Sequence, residues 1–237
     1  MIRLDRFLAN SGIGTRAEVK KLVKQKQVKV NGKSIKSPNQ KLKDTDQVMV
    51  NNQIVSALVD RYFMFNKPTG VITATRDAKH QTFLHYFREE VHVEKLVAAG
   101  RLDKDTTGLL VVTDDGQFVH EIIHPSKKVP KIYQAVIDGQ LTESDKELFG
   151  QGMQFKDFTA QPAQVKTVKL LPQNQSIIEV TIHEGKYHQV KRMFEQVKKP
   201  VLQLHRVQIG QLQLDERLKP GEYRDLTDEE LIMLKTK

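Results

Sequence analysis

A polar, glycine-bounded loop at residues 100–108 contains the side chains best suited to chemistry. Asp103 lies in this loop, two residues after Arg101 and directly before Lys104. Nearby positive charge favours the ionised form of a carboxylate, even in a site that is closed to solvent. Because a nucleophilic carboxylate must be ionised, Asp103 is a candidate catalytic residue. The alternative for Asp103 or Asp105 is a side chain that only caps a turn.

Other polar clusters give little support for a metal site or a phosphate loop. The chain has no cysteine, which excludes disulfides, thiol nucleophiles and cysteine-bound zinc. His183 and His188 lack the spacing of a helical zinc pair. The segment at 114–116 favours a turn over a cation site, and the segment at 12–14 lacks the third glycine of a phosphate loop. We therefore expect no metal.

The candidate loop precedes an apolar segment at 109–113 that is typical of a buried strand. Loops at the ends of strands often carry catalytic groups. Further predicted elements are strands at 61–65, 132–137 and 177–182 and a helix at 190–197. Strands that alternate with irregular loops and a few helices predict an α+β domain with a mostly antiparallel sheet.

Positive charge is concentrated at the N-terminal end of the chain. Residues 1–50 contain twelve Lys and Arg against four Asp and Glu, which accounts for nearly all of the net charge of +9. A basic segment joined to a nearly neutral body favours a polyanionic partner such as nucleic acid. The alternative is a lysine-rich surface that is merely solvated.

This basic segment has the pattern of a small helical module. A capping-box sequence at 15–18 predicts a helix that runs to about residue 25. Arg16, Lys20 and Lys24 would then form one cationic stripe along that helix. Because a cationic helix face can contact phosphates, we expect these three side chains to bind substrate.

The segments at 3–5, 11–16 and 28–32 resemble an S4 domain, a small RNA-binding module. Val28 and Val30 in the last segment alternate with polar residues before Asn31-Gly32, which predicts a hairpin turn. The resemblance covers about the first 50 residues. It implies an RNA partner for this part of the chain.

The loop at 100–110 is similar to the signature loop of the pseudouridine synthases. The resemblance rests on Gly100-Arg101-Leu102-Asp103 followed by Thr106, Gly108, Leu109 and Leu110. Further segments follow the order of the branch typified by the small-subunit rRNA uridine synthase. They lie at 61–70, 131–133, 184–194, 204–210 and 220–227.

These resemblances imply an α+β fold with an S4-like RNA-binding module and a pseudouridine-synthase catalytic domain on a mostly antiparallel mixed sheet. The expected boundaries are 1–50 for the S4-like module, 51–60 for a linker and 61–237 for the catalytic domain.

The second resemblance also implies roles for individual residues. Asp103 would attack the nucleotide or assist departure of the base, and Tyr133 would pack on the uracil. Lys191 would pair with Asp103, with Arg192 as the second candidate. Arg101 would help to hold the extruded nucleotide. Extrusion from the stack costs a few kcal/mol, which contacts in the pocket must offset.

Thr106 is expected to bind substrate as part of the same loop, and the implied reaction needs neither cofactor nor metal. Without the resemblance, Tyr133 would more often be a core tyrosine, since it lies on a predicted strand. Lys191 and Arg192 would more often face solvent, since they open an amphipathic helix.

The leading functional hypothesis is site-specific isomerisation of one uridine in 16S rRNA, with uridine 516 as the expected target. The second is a sister enzyme that acts on 23S rRNA. The third is a non-catalytic RNA-binding or ribosome-assembly factor. We also expect a cytoplasmic protein, since no apolar segment is long enough to span a membrane. A monomer is expected as well.

Overall fold

A computed structural model of the protein describes residues 2–43, 45–55, 60–90 and 92–236. The chain divides into two compact units, residues 1–60 and residues 61–237. No helix in these described ranges is long and apolar enough to cross a membrane. The α+β class expected from the sequence is confirmed.

The first unit combines two short helices with short antiparallel strands. Its elements are β1 (Ile2–Arg3), α1 (Leu4–Asn10), α2 (Arg16–Lys24), β2 (Val28–Val30), β3 (Lys33–Ser34), β4 (Lys41–Leu42), β5 (Val48–Val50) and β6 (Gln53–Val55). The strands pair in the order β3-β2-β5-β6, and β1 pairs with β4.

Helix α2 begins where the capping box predicts. The Thr15 hydroxyl accepts a hydrogen bond from the Glu18 amide, and the Glu18 carboxylate accepts one from the Thr15 amide. Val19 and Val23 are buried in the core of this unit. The Arg16, Lys20 and Lys24 side chains are all exposed. The predicted stripe therefore lies on the solvent side of the helix.

The predicted linker at 51–60 overlaps with regular structure. Gln53–Val55 form strand β6, which pairs with Val48–Val50. Because Asn51 and Asn52 both adopt positive φ angles, they reverse the chain into this strand. The first unit thus continues past residue 50, whereas residues 56–59 lie outside the described part of the chain.

The second unit is built on one large sheet with helices around it. Its strands are β7 (Tyr62–Lys67), β8 (Val97–Ala98), β9 (Thr107–Thr113), β10 (Lys131–Asp138), β11 (Met153–Gln154), β12 (Thr159–Ala160), β13 (Gln164–Leu170), β14 (Gln175–Ile182), β15 (Val201–Ile209), β16 (Leu212–Gln213) and β17 (Tyr223–Asp225). Its α-helices are α3 (Gly116–Ile123), α4 (Glu143–Gln151), α5 (Gln189–Gln196) and α6 (Asp228–Lys235), with 3-10 helices at Phe83–Phe87, Val93–Lys95 and Pro125–Lys127.

The main sheet has the strand order β13-β14-β10-β15-β9-β7-β17, with β16 beside β15 and β8 beside β9. Its pairings are antiparallel except for β9 with β15, which run parallel. Strand β14 alternates buried and partly exposed positions along its whole length, as expected for a sheet with one covered face. Strand β9 is buried from Gly108 onward, which explains its continuous apolar sequence.

The parallel pairing brings β9 and β15 close together at the start of β9. Gly108 has a φ of +101°, and a Cβ atom at this position would lie 2.3 Å from the main-chain oxygen of Arg206. No side chain fits there, so glycine is required. This close approach brings the loop at 100–106 next to β15 and its Arg206 side chain.

Candidate active site

A buried lysine holds the loop that carries Asp103. Lys67, at the end of β7, is fully buried and donates hydrogen bonds to the main-chain oxygens of Pro68, Asp103 and Thr106, at 3.1, 3.0 and 2.8 Å. Burial lowers the pKa of Lys67 to about 8. Because the amine contacts main-chain atoms, it fixes the path of the loop while the carboxylate of Asp103 points elsewhere.

The Asp103 carboxylate pairs with helix α5. One carboxylate oxygen, Oδ2, lies 3.2 Å from the Lys191 Nζ, and the other, Oδ1, lies 3.6 Å from the His188 Nε2. Lys191 also contacts the Asp105 Oδ1 at 2.5 Å. Lys191 thus lies between two carboxylates of the same loop and forms an ion pair with each of them.

The surroundings of Lys191 raise its pKa overall. Burial alone would lower the pKa of Lys191, but its hydrogen bond to Asp105 and the charge of Asp103 outweigh burial and raise that pKa. The hydrogen bond from Lys191 in turn lowers the pKa of Asp105. The pair is therefore charged on both sides near neutral pH.

The cations beside Asp103 differ from those expected from its sequence neighbours. Within the described residues, its ion pairs involve Lys191 and His188 rather than Arg101 or Lys104. Both sequence neighbours have exposed side chains. The local sequence therefore suggested the wrong source of charge, whereas the resemblance suggested the right one in Lys191.

The start of helix α5 is fixed by a buried polar network. Gln189 donates from its Nε2 to the Glu184 Oε1 at 2.9 Å and accepts from the Lys186 amide at 3.0 Å. Glu184 also accepts from the Gln161 amide at 2.8 Å. Since Lys191 lies in the first turn of this helix, the network also fixes the direction in which Lys191 approaches Asp103.

Tyr133 lies on strand β10 next to Arg206 of strand β15. The Tyr133 side chain is 7% exposed, and its hydroxyl accepts a hydrogen bond from the Arg206 Nη1 at 3.4 Å. The Arg206 Nε donates to the main-chain oxygen of Leu109 at 2.8 Å. The guanidinium of Arg206 thus connects the aromatic candidate with the strand that follows the candidate loop.

Two buried polar atoms near this pair lack a hydrogen-bond partner among the described residues. They are the Arg206 Nη2 and the Thr106 Oγ1. Arg206 and Thr106 are each 2% exposed. A buried polar group without a partner is costly unless a ligand supplies one.

These groups line one cavity of about 450 Å³. Its walls include Asp103, Arg101, Thr106, Tyr133 and Lys191, all of which were expected in the site from the sequence. Volumes of several hundred Å³ are typical of ligand pockets. Residues from the loop, from strands β10, β14 and β15 and from helices α3 and α5 therefore converge on a single concave surface.

Arg192 does not line this cavity. Its guanidinium contacts both carboxylate oxygens of Asp157 and lies 4.7 Å from the ring centres of Phe155 and Phe158. Arg16, Lys20 and Lys24 lie in the first unit. Of the two cations considered as partners for Asp103, the structure brings Lys191 to it and directs Arg192 elsewhere.

Sequence reasoning missed three residues of this site. Neither Lys67 nor Arg206 was given a role from the sequence, and His188 was considered only as a metal ligand. A lysine in the last position of an apolar strand is a signal for Lys67, because such a side chain must be buried or reach around the strand end. No comparable local signal distinguishes Arg206.

The second unit matches the RNA pseudouridylate synthase family over residues 61–196, and the first matches the S4 domain over residues 2–48. The chain is 42% identical over 234 residues to ribosomal small subunit pseudouridine synthase A of Yersinia pestis, covering 97% of each protein. It is 40% identical over 234 residues to the Escherichia coli K12 protein of that name, covering 97% of this chain and 98% of the relative.

A further relative is an uncharacterized RNA pseudouridine synthase, YtzG, of Bacillus subtilis, which is 40% identical over 235 residues and 98% of each protein. A crystal structure of a pseudouridylate synthase superposes with a TM-score of 0.68 at 34% identity, over 99% of this chain and all of that one. The chain belongs to the pseudouridine synthase family. It is an RNA-acting isomerase that carries an S4 domain.

Proposed function

We propose that the protein isomerises one specific uridine of 16S rRNA, at position 516, to pseudouridine and that Asp103 is its catalytic carboxylate. The observation that carries the proposal is the Asp103–Lys191 ion pair on the wall of the cavity. The relatives named for the ribosomal small subunit support the choice of 16S rRNA.

The reaction breaks the bond between uracil N1 and the ribose and forms a bond from uracil C5 to the same ribose carbon. Carbon 5 gives up its proton and N1 ends with one, so no atoms are gained or lost. An ionised Asp103 either attacks the nucleotide or assists departure of the base. Lys191 pairs with that carboxylate at the wall of the cavity.

Tyr133, Thr106 and Arg206 form the proposed binding surface for the extruded nucleotide. The ring of Tyr133 packs on the uracil, and its hydroxyl is oriented by Arg206. The unpartnered Oγ1 of Thr106 and Nη2 of Arg206 then bond to polar atoms of the nucleotide. Arg101, which is exposed at the same cavity, contacts the neighbouring phosphate.

The S4 domain supplies the second part of the proposal. The exposed stripe of Arg16, Lys20 and Lys24 contacts the phosphate backbone of folded RNA. Phosphate contacts contribute affinity but do not distinguish one RNA sequence from another. The cavity and its rim therefore select the target uridine. A folded or assembling small ribosomal subunit contains RNA for both the S4 stripe and the cavity to bind.

The test is to incubate the protein with unmodified 16S and 23S transcripts, each with and without ribosomal proteins, and to map pseudouridine by chemical labelling and primer extension. We expect one site in 16S rRNA, at uridine 516, that is absent with Asp103→Asn. A site in 23S rRNA instead would keep the chemistry and overturn the substrate. Unchanged RNA affinity of Asp103→Asn would show that the loss lies in the chemical step.

A further inference from the structure

Tyr187 is an exposed aromatic side chain on the rim of the cavity. It lines the cavity and is 65% exposed. Among the described residues with large, mainly exposed apolar side chains, Tyr187 is the only aromatic one. Burial in the core therefore does not account for this ring, and its position next to the site requires another explanation.

The Tyr187 ring is already ordered by its neighbour. It stacks on the His188 ring with the ring centres 3.9 Å apart and the planes at 17°. His188 adopts a left-handed backbone conformation, with a φ of 50°, and its Nε2 lies 3.6 Å from the Asp103 carboxylate. One face of the Tyr187 ring thus packs on the His188 ring, so the binding of a ligand to the other face costs little side-chain entropy.

The surroundings of Tyr187 fit a nucleic-acid base better than an apolar peptide. Lys186 and Arg101 are exposed at the same cavity and can reach phosphates. Ile123, which is 43% exposed, adds a second large exposed apolar side chain to the cavity wall. An aromatic face accompanied by cations is the arrangement that binds unstacked bases in single-stranded RNA.

Base extrusion creates the partner for such a surface. When one nucleotide leaves the stack and enters the cavity, each adjacent base loses a stacking partner. We propose that Tyr187 is the stacking platform for a base adjacent to the target uridine. The inference rests on the proposed function, because it requires an RNA nucleotide in the cavity beside Asp103. His188 acts as a positioning residue that holds the platform against the site.

A steady-state comparison of three variants tests this platform on whichever transcript the wild-type protein modifies. Stacking of one base is worth about 5- to 150-fold in affinity, so Tyr187→Ala is expected to raise KM within that range. Tyr187→Phe keeps the ring and should retain most of the affinity that Tyr187→Ala loses. The matched control is Ile232→Ala, which removes an exposed apolar side chain from helix α6.

An unchanged KM for Tyr187→Ala would overturn the platform. Equal losses in Tyr187→Phe and Tyr187→Ala would also overturn it, because the hydroxyl rather than the ring would then carry the effect. Neither result depends on which ribosomal RNA is the substrate, so failure of the platform is distinct from failure of the 16S assignment.

A binding measurement tests the same contact without turnover. The chain contains no tryptophan, so Tyr187→Trp in an Asp103→Asn background places the protein's single tryptophan on the platform, where it can be excited apart from the tyrosines. The unmodified form of the transcript that the wild-type protein modifies should quench this fluorophore, since stacking on a base brings the two rings into contact. Ile232→Trp in the same background should keep its emission. RNA binding in a filter assay without quenching at position 187 would contradict the proposal.

Discussion

The Lys67 Nζ lies 3.0 Å from the main-chain oxygen of Asp103, inside the protein and beneath the loop. The bond joins the end of β7 to the residue that carries the candidate carboxylate. Each of the other oxygens that Lys67 contacts belongs to the same loop or to the turn after β7. The loop therefore has a fixed path that does not depend on bound RNA.

The first prediction concerns this buried amine. Lys67→Met keeps much of the side-chain length but leaves the main-chain oxygens of Asp103 and Thr106 without their donor. We expect the free energy of unfolding to fall by about 2 kcal/mol, together with kcat, because Asp103 is displaced. Urea unfolding and single-turnover kinetics measure the two effects. Lys169→Met, on the exposed face of β13, is the control and should change neither.

A second prediction separates two adjacent cations of helix α5. Lys191→Met removes the partner of Asp103 and should lower kcat by roughly 100-fold, as expected for loss of one charged group aimed at the reacting atoms. Arg192→Met removes a cation that contacts Asp157 instead and should affect stability more than kcat. Single-turnover rates on the unmodified form of the substrate transcript distinguish the roles of the two cations. Equal losses of rate in both variants would contradict the assignment of Lys191.

The structure also explains how far sequence alone could predict this site. The strand at 109–113 was predictable because its residues are buried on both sides, and the helix after residue 15 was predictable from its capping box. The cation beside Asp103 was not predictable from local sequence. Lys191 is distant from Asp103 in sequence, and the fold of the second unit brings the two side chains together. Only the resemblance of its flanking residues to a known family pointed to it.

The errors have equally local causes. Arg101 and Lys104 are close to Asp103 in sequence, but both side chains are exposed, and residues 103–106 form a turn in which the Thr106 amide donates to the Asp103 main-chain oxygen at 3.1 Å. Residues 53–55 of the predicted linker have a weakly patterned sequence, yet they form an exposed edge strand. Edge strands need little apolar sequence, since one side of their backbone faces solvent.

A third prediction concerns the unpartnered hydroxyl of Thr106. Thr106→Val removes that hydroxyl without changing side-chain shape, and the hydroxyl has no protein partner among the described residues. The free energy of unfolding should therefore stay the same or rise. If the nucleotide supplies the partner, kcat/KM should fall by about 5- to 10-fold, in line with one hydrogen bond of about 1 kcal/mol. Thr106→Ser keeps the hydroxyl and should retain most of the activity, whereas full activity in Thr106→Val would remove Thr106 from the binding surface.

The last prediction addresses the cationic stripe of the S4 domain. Replacing Arg16, Lys20 and Lys24 together with glutamine should weaken RNA binding and flatten its dependence on salt, because each phosphate contact contributes about 0.7 to 0.9 to the slope of log affinity against log salt. All three side chains are exposed, so the fold should persist, as circular dichroism can verify.

The control for the stripe removes equal charge from the second unit, by changing the exposed Lys79, Lys169 and Lys219 to glutamine. Both triple variants lose three positive charges, so a general effect of net charge would lower the two salt slopes equally. Contact between the stripe and phosphate predicts a lower slope only for the S4 variant. Titrations at several salt concentrations distinguish the two, and equal slopes in the S4 variant and the wild-type protein would show that the stripe only faces solvent.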